Sequence, residues 1–557
     1  MKQFRWTVLI GSAVLCMVDG DTAQADDSEA LTYRRFTVEE TGGSIVTMTP
    51  VMESRNPRWA RGVSQDTFNW SGRMTGMDPL FDTPIPFVIH PTDESEPFHK
   101  HNHQPSITWL PNGDLLAVWY STRGERGTEL TVLAGRLRSG NDVWDASSEF
   151  FKAPNRNMHG SSILHDGNGT IYHFNGMAPD GGRGWAKLAL LMRSSRDNGL
   201  TWTRPFAVDP RVIGRHQVIS GTLITKTGVL IQNCDAVPAG HGGTALHISH
   251  DGGKSWIDPG YGKPKPDFVA GGTGEGTIAG IHAKVVELDD ERLIAFGRGD
   301  SIDGHMPMSI SSDLGRTWTY QASPFPPIGG GQRLVLRRLN EGPLLFASFT
   351  SGSREQPEAN GMTFLSQNGQ EFTGHGMYAA LSFDQGTTWP VRKLLTPGNG
   401  DFDGGAWTRK FTATPTRAEH AGYLAATQTP NNVIHLISSR LHYRLNLAWL
   451  TAGTAVAFVG ETCPAAPLTM YRSRHEGLTC RPQKPSIHSS HCGYMLSMHM
   501  NEHGMTLRRG QEKGCRCAQC ATARTGITIR NGNLSTPTGT TVASTGAQVI
   551  HSEKPNQ

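Results

Sequence analysis

Residues 382–389 read Ser-Phe-Asp-Gln-Gly-Thr-Thr-Trp, and the pattern Ser-x-Asp-x-Gly-x-x-Trp recurs at 195–202, 249–256 and 311–318. Four matches at four fixed positions are beyond chance. Each describes a hairpin turn, in which the Asp accepts hydrogen bonds from neighbouring amides, the Gly takes a positive φ and the Trp folds back as an apolar lid. Ser139-Gly-Asn-Asp-Val-Trp144 is a degenerate earlier copy, so the tryptophans step by 58, 54, 62 and 71 residues. A period of that size belongs to stacked sheet units.

Outward from each box the grammar repeats as an apolar strand, a tight Gly or Asn turn, a second apolar strand, and a third strand entering the box. The inner turns fall at Pro111-Asn112-Gly113, Asp166-Gly167-Asn168-Gly169, Lys226-Thr227-Gly228, Asp289-Asp290, Asn340-Glu341-Gly342 and Pro430-Asn431-Asn432. Six such units predict an all-β fold, a six-bladed β-propeller of four-stranded antiparallel blades over about residues 45–450. A strand from the N-terminal stretch is expected to close the ring, and residues 50–95 are expected to form a flap over its mouth. Composition agrees: 65 Gly and 33 Pro in 557 residues disfavour helix, and 13 Trp exclude a wholly disordered chain.

A net charge of +3 carries no electrostatic footprint of a nucleic-acid binder. Lys2 and Arg5 before an apolar run, followed by Ala23-Gln24-Ala25, read as an export signal over residues 1–25, so a secreted or periplasmic location is expected. That run is too short to span a membrane, and no other span is expected. After residue 450 the blade grammar stops. Residues 451–557 hold six of the eight Cys and 11 Lys/Arg against 5 Asp/Glu, but their Cys spacing fits no defined metal-ligand set. This tail is expected to be disordered or not a native domain, and Cys234 a lone blade cysteine.

The four boxes are the Asp-boxes, or BNR repeats, of the sialidase superfamily, which the chain resembles across about residues 95–450. The resemblance implies a cofactor-independent exo-sialidase that acts, as a monomer, on the non-reducing end of an anionic glycan. It places the family's nucleophilic tyrosine at Tyr423, seven residues before Pro430, and one carboxylate-binding arginine at Arg298. Elsewhere the chain departs from the family pattern. His103 occupies the place of the first clamp arginine, His282 falls near that of the glutamate that polarises the tyrosine, and His375 stands where a third arginine is expected. Only Glu125 and Glu129 are available near the acid/base aspartate; Glu129 is taken as the catalytic candidate.

A second pattern is independent of the resemblance. Residues about ten before each inner turn should converge at the mouth, and those positions hold His103, His159, His282 and, in blade five, Gln332 and Arg333, with His216 two residues off in blade three. Imidazoles suit acid/base chemistry near neutral pH. The reading is therefore Tyr423, His103, His282 and Glu129 as catalytic groups, with Arg298, His159, His216, Arg333 and His375 binding substrate. The same residues could line a wet channel, and His101, His103 and His159 could hold a metal if they converged. Two further functions remain open: a glycosidase or polysaccharide lyase for uronic-acid sugars, and a noncatalytic glycan-binding propeller.

Overall fold

A computed structural model describes residues 34–51, 56–70, 78–92, 97–236, 242–366 and 368–453, with the backbone of short strands between 470 and 542. The export-signal stretch lies outside the described residues, as do the side chains of the cysteine-containing tail, whose seven described strands pair in one antiparallel sheet.

Residues 97–453 form six antiparallel blades about one axis. Blade one is His101–Trp109, Leu115–Thr122, Thr131–Leu137 and Ser148–Phe151; each of the others repeats that order. The inner strands Ser161–His165, Leu223–Ile224, Ile281–Glu287, Val335–Arg338 and Ala425–Gln428 all end at the turns expected from the sequence, and with blade one they line an axial channel. The ring closes as anticipated. Ile85–Pro86 pairs with Leu441–Leu445, so an early segment supplies the outer strand of blade six. A further hairpin, Arg35–Thr41 and Ser44–Val51, extends blade two.

The Asp-boxes explain why the blades stay together. In 195–202, Ser195 Oγ donates to Asp197 at 2.8 Å and accepts from the Gly199 amide at 3.1 Å, Asp197 accepts from the Thr201 amide at 2.9 Å, and Trp202 Nε1 donates to Gly199 O at 3.2 Å. The residue before the glycine is also left-handed, with φ of +57° at Asn198, +58° at Leu314 and +62° at Gln385. Two successive positive φ values turn the chain sharply enough to drive the indole sideways. Trp202 therefore packs on Phe150 of blade one (5.2 Å between rings), Trp256 on Phe174 of blade two (5.6 Å) and Trp389 on Phe296 of blade four (6.0 Å). Trp144 does the same across the closure, donating Nε1 to His442 Nδ1 of blade six at 3.2 Å. The indole is thus a wedge between blades rather than a lid on its own turn.

The boxes lie at the end of the inner strands opposite His101 and His103. Residues 56–70 brace that same end: Phe68 N–H donates to Pro111 O, Asn112 Nδ2 to Ser64 O and Gln65 Nε2 to Asp197 O. In its described residues this part of the expected flap is therefore a strap beneath the propeller, because its polar groups pair with turns at the Asp-box end. Among the described residues no helix is long and apolar enough to cross a membrane.

Because Trp202 is fully buried between two blades, Trp202→Ala is expected to cost about 3–5 kcal/mol. Urea denaturation of the folded protein measures this, and a loss below about 1 kcal/mol would show that the wedge does not hold the blades.

Candidate active site

Inner strands need a special device to aim side chains at the axis, and a left-handed residue supplies it, Gly331 (φ +81°) in blade five and Gly422 (φ +124°) in blade six included. Gln104 (φ +51°), Gly160 (φ +83°) and His282 (φ +52°) are left-handed at the heads of blades one, two and four. For a non-glycine residue this conformation costs roughly 1–2 kcal/mol, so something must hold it. At His282 that is Asp235 of blade three. Its Oδ1 accepts the His282 backbone N–H at 2.5 Å, while its Oδ2 lies 3.3 Å from the ring Nδ1. The other ring nitrogen, Nε2, is 3.2 Å from the Tyr423 hydroxyl.

Tyr423 is buried at the centre of the mouth. Arg298 Nη2 donates to its oxygen at 2.8 Å, so the phenol proton is directed at His282 Nε2 and the imidazole carries its own proton on Nδ1, toward Asp235. His103 packs on the phenol ring at 3.7 Å between centroids, and the guanidinium carbons of Arg298 and Arg333 lie 4.9 and 5.0 Å from it. Arg298, Tyr423 and His282 form one hydrogen-bonded chain, which Asp235 joins through the His282 amide; its Oδ2 approaches the ring Nδ1 without a hydrogen bond between them.

Burial dominates the protonation states. It pushes the His282 and His103 imidazoles well below their usual range, with Arg298 and Arg333 adding to the effect at both. Both rings are neutral at neutral pH and can accept a proton. Burial also raises the Tyr423 phenol, opposed by the two guanidiniums, and pushes Asp235 up to about 7 against the His282 amide and the same two cations.

Beside this chain lies a second set from blades one to three. Glu125 Oε1 accepts from Tyr120 OH at 2.9 Å and lies 3.1 Å from His101 Nε2. Burial alone would raise this carboxyl, but the hydrogen bonds from His101 and Tyr120 and the field of His159 leave it below its ordinary value. His159 Nε2 meets Gln104 Nε2 at 3.0 Å and Gln217 Nε2 at 3.3 Å; burial takes its pKa down to about 4.

Residues 113–436, more than half of the chain, match the family model described as a BNR repeat-like domain. The chain belongs to this family. The BNR propeller is 24% identical over 323 residues to a sialidase of Micromonospora viridifaciens, covering 53% of this chain and 46% of that protein, so it spans about half the length of that curated relative. Among solved structures it is similar to a protein of unknown function from Dyadobacter fermentans (15% identity, 65% of this chain and 98% of that one, TM-score 0.43). It is also similar to the NanB sialidase of Streptococcus pneumoniae (13% identity, 65% and 69%, TM-score 0.42) and to a Trypanosoma rangeli sialidase (11% identity, 86% and 90%, TM-score 0.39).

Of the residues expected at the mouth of the BNR propeller, Tyr423, His103, His282, Arg298, Arg333 and His159 come together there. Three do not. Glu129 turns into its own loop, accepting from Thr122 Oγ1 at 2.9 Å and the Arg123 amide at 3.0 Å, and Glu125 takes the mouth position. His216 points between blades two and three, with Nδ1 at 2.9 Å from Leu188 O and Nε2 at 3.3 Å from Asp209; its neighbour Gln217 reaches the site instead. His375 sits beside Gly361, its main chain paired with Thr416 and Ala418, and makes no hydrogen bond or ring contact with Tyr423.

Both arginines spend donors on the backbone, though Arg333 Nη1 is buried without a hydrogen-bond partner. Arg298 also donates to Gly329 O and Gln332 O, and Arg333 to Leu424 O and Pro105 O. His101, His103 and His159 have separate partners in Glu125, Ser439 and the two glutamines, and among the described residues no group of three or more metal-ligating side chains converges.

Sequence reasoning missed Asp235 and the rim. Asp235 ends the fully buried strand Leu230–Asp235, next to the free Cys234. At the rim, Trp407 packs edge-on against His101 (5.5 Å) with Arg354 over its face at 4.2 Å, and Trp185 stacks on His159 (5.2 Å) with Arg126 at 5.4 Å. Buried Glu419, pushed up to about 7 by burial, accepts Thr408 Oγ1 at 2.9 Å and Tyr443 OH at 2.8 Å, which anchors the loop beside Trp407.

An unperturbed imidazole is half protonated at about pH 6.5. Proton and nitrogen NMR of the histidine rings is expected to show His103 and His282 still neutral at that pH, and titration of either ring near 6.5 would overturn the buried electrostatics described above.

Proposed function

We propose that residues 96–450 are the catalytic unit of an exported, retaining exo-glycosidase of the sialidase type, acting on the non-reducing end of an anionic glycan with Tyr423 as nucleophile. The observation that carries the reading is the chain Asp235–His282–Tyr423–Arg298. A phenol is a weak nucleophile until a base takes its proton and cations stabilise the oxyanion. His282 Nε2 is placed for the first role and Arg298 for the second. Asp235 orients the imidazole and stabilises its protonated form, as a buried carboxylate does behind a catalytic histidine.

In the forward step Tyr423 Oη bonds to the anomeric carbon, its proton passes to His282, and the glycosidic bond breaks. The leaving oxygen takes a proton held by the His101–Glu125 pair. Water then attacks the same carbon, giving a proton to Glu125, and Tyr423 departs and regains its proton from His282. With Arg298 committed internally and Arg333 fully buried beneath the mouth, the acidic substituent falls to Arg354 and Arg126, and sugar faces to Trp407 and Trp185. The likeness to the Micromonospora sialidase makes sialosides the first substrates to examine.

A second reading, β-elimination from a uronic-acid polymer, is favoured by one observation. His103 Nε2 is buried beside Tyr423 without a hydrogen-bond partner, and the ring is neutral. Here His103 would take the proton next to the carboxylate while Tyr423 protonates the leaving oxygen.

Digestion of a fluorogenic sialoside is compared with the appearance of unsaturated ends on uronic polymers; binding of both without turnover would leave a glycan-binding propeller. Tyr423→Phe is expected to abolish turnover, and an unchanged product profile would remove the tyrosine from the mechanism. Asp235→Asn is expected to lower kcat by about 10²–10⁴-fold, with KM changed only a few-fold.

The pH profile has a defined sign. Activity needs neutral His282, whose pKa is depressed, so the His282 limb of kcat is expected below pH 6.5, while Asp235, pushed up to about 7, adds a limb of its own near that pH. In Asp235→Asn, an acid limb at or above 6.5 would exclude His282 as the base.

A further inference from the structure

The reactive groups at the mouth are closed off from solvent. Tyr423 is 6% exposed, His282 2% and His103 1%, and His103 Nε2 is buried without a hydrogen-bond partner. The side chain that covers them is Trp407. Its indole meets His101 at 5.5 Å and His103 at 5.7 Å between ring centroids, edge-on in both cases. It also reaches the main chain of blade five, where a Cβ on Gly331 would stand 3.3 Å from Trp407 Cγ. These two neighbours bracket the tyrosine. His103 packs on the Tyr423 ring at 3.7 Å, while Gly331 O accepts the Gly422 N–H at 2.8 Å and the following pair, Gln332–Arg333, runs parallel to Gly422–Tyr423. An indole that touches both therefore roofs the head of blade six.

The main chain that carries this roof is fixed, whereas the indole is held by packing alone. Gly400–Asp403 and Lys410–Ala413 pair as a hairpin, Gly404 N–H donates to Arg409 O and Arg409 N–H to Gly405 O, each at 2.8 Å, and Thr408 Oγ1 donates to Glu419 and to Ala421 O. Trp407 Nε1, by contrast, is buried without a hydrogen-bond partner, and the cover on its ring face is the Arg354 guanidinium at 4.2 Å. A buried polar atom without a partner is costly, and here two of them, Trp407 Nε1 and His103 Nε2, belong to neighbouring rings. Rotation of the indole about its side-chain bonds would give both atoms to water, at the expense of its contacts with the two imidazoles. The two effects oppose each other, which is the condition for a side chain that opens and closes.

We propose that the Trp407 indole is a gate over Tyr423, which opens by side-chain rotation on the fixed 404–409 turn to admit a ligand and closes to exclude water. That the ligand is a substrate rests on the reading of the mouth as a catalytic site; the gate itself does not, and its test uses no substrate.

Diethyl pyrocarbonate, which acylates neutral imidazole nitrogens, is the probe, and tandem mass spectrometry of peptides from the labelled full chain reads each histidine separately. Exposed His305 and His173, buried against Phe150, Phe151 and Trp202, are the internal references. In wild type, His103 is expected to label more slowly than His305 but well ahead of His173, because the gate opens without unfolding of the blades. Trp407→Ala is expected to speed labelling of His103 roughly tenfold or more and to leave His173 unchanged. Arg354→Ala, which uncovers the indole face, should move His103 in the same direction, and it decides the matter if Trp407→Ala does not fold. A wild-type His103 that labels no sooner than His173 would mean a static roof, and equal His103 rates in wild type and variant would mean that another group closes the mouth; either result overturns the proposal.

Discussion

The interaction on which everything else rests is the Asp-box indole driven into the neighbouring blade. The mouth residues come from all six blades, separated in sequence by up to hundreds of residues, and convergence requires the blades to be locked in angle. Trp202, Trp256 and Trp389 each pack on a ring of the preceding blade, and Trp144 with the Ile85–Pro86 strand carries the same contact across the closure. An apolar wedge suits this task because its burial is favourable regardless of orientation, while the indole N–H on the box glycine carbonyl fixes direction. The box is a structural device at one end of the propeller; the chemistry sits at the other.

At that other end the governing fact is an excess of buried cationic and imidazole groups over carboxylates. Arg298, Arg333 and Lys284 surround Asp235, and burial keeps the imidazoles of His103, His159 and His282 uncharged. An environment of this kind favours an anion at its centre, whether a tyrosinate, a bound acidic sugar or the carboxylate of Asp235. The left-handed backbone at His282 is held by the same carboxylate that faces its ring. Orientation of the base and strain of the strand are thus one arrangement.

The fold was readable from the sequence because turn chemistry is local. A glycine after an aspartate in a hairpin means the same thing in every blade, and the six inner turns fall where the pattern placed them. The site was readable only to the resolution of a strand head. Tyr423, His103, His159, His282, Arg298 and Arg333 were found by their offset from a turn, whereas Glu129 was preferred to Glu125 and His216 to Gln217. Asp235 stands on the second strand of its blade, at the offset from its turn that Arg298 has in blade four, and so lies outside the first-strand pattern of imidazoles.

The amino-acid sequence by itself determined the number of blades and the place of every inner turn, because each follows from backbone preferences confined to a few residues; the tyrosine at the head of blade six came from the family resemblance. The tertiary structure alone decided which of two neighbouring side chains faces the axis. Successive strand residues point to opposite faces, and the left-handed kinks at Gln104 and His282 interrupt that alternation. It also decided what the arginines do, since Arg298 and Arg333 spend their donors on carbonyls brought near only when the ring closes.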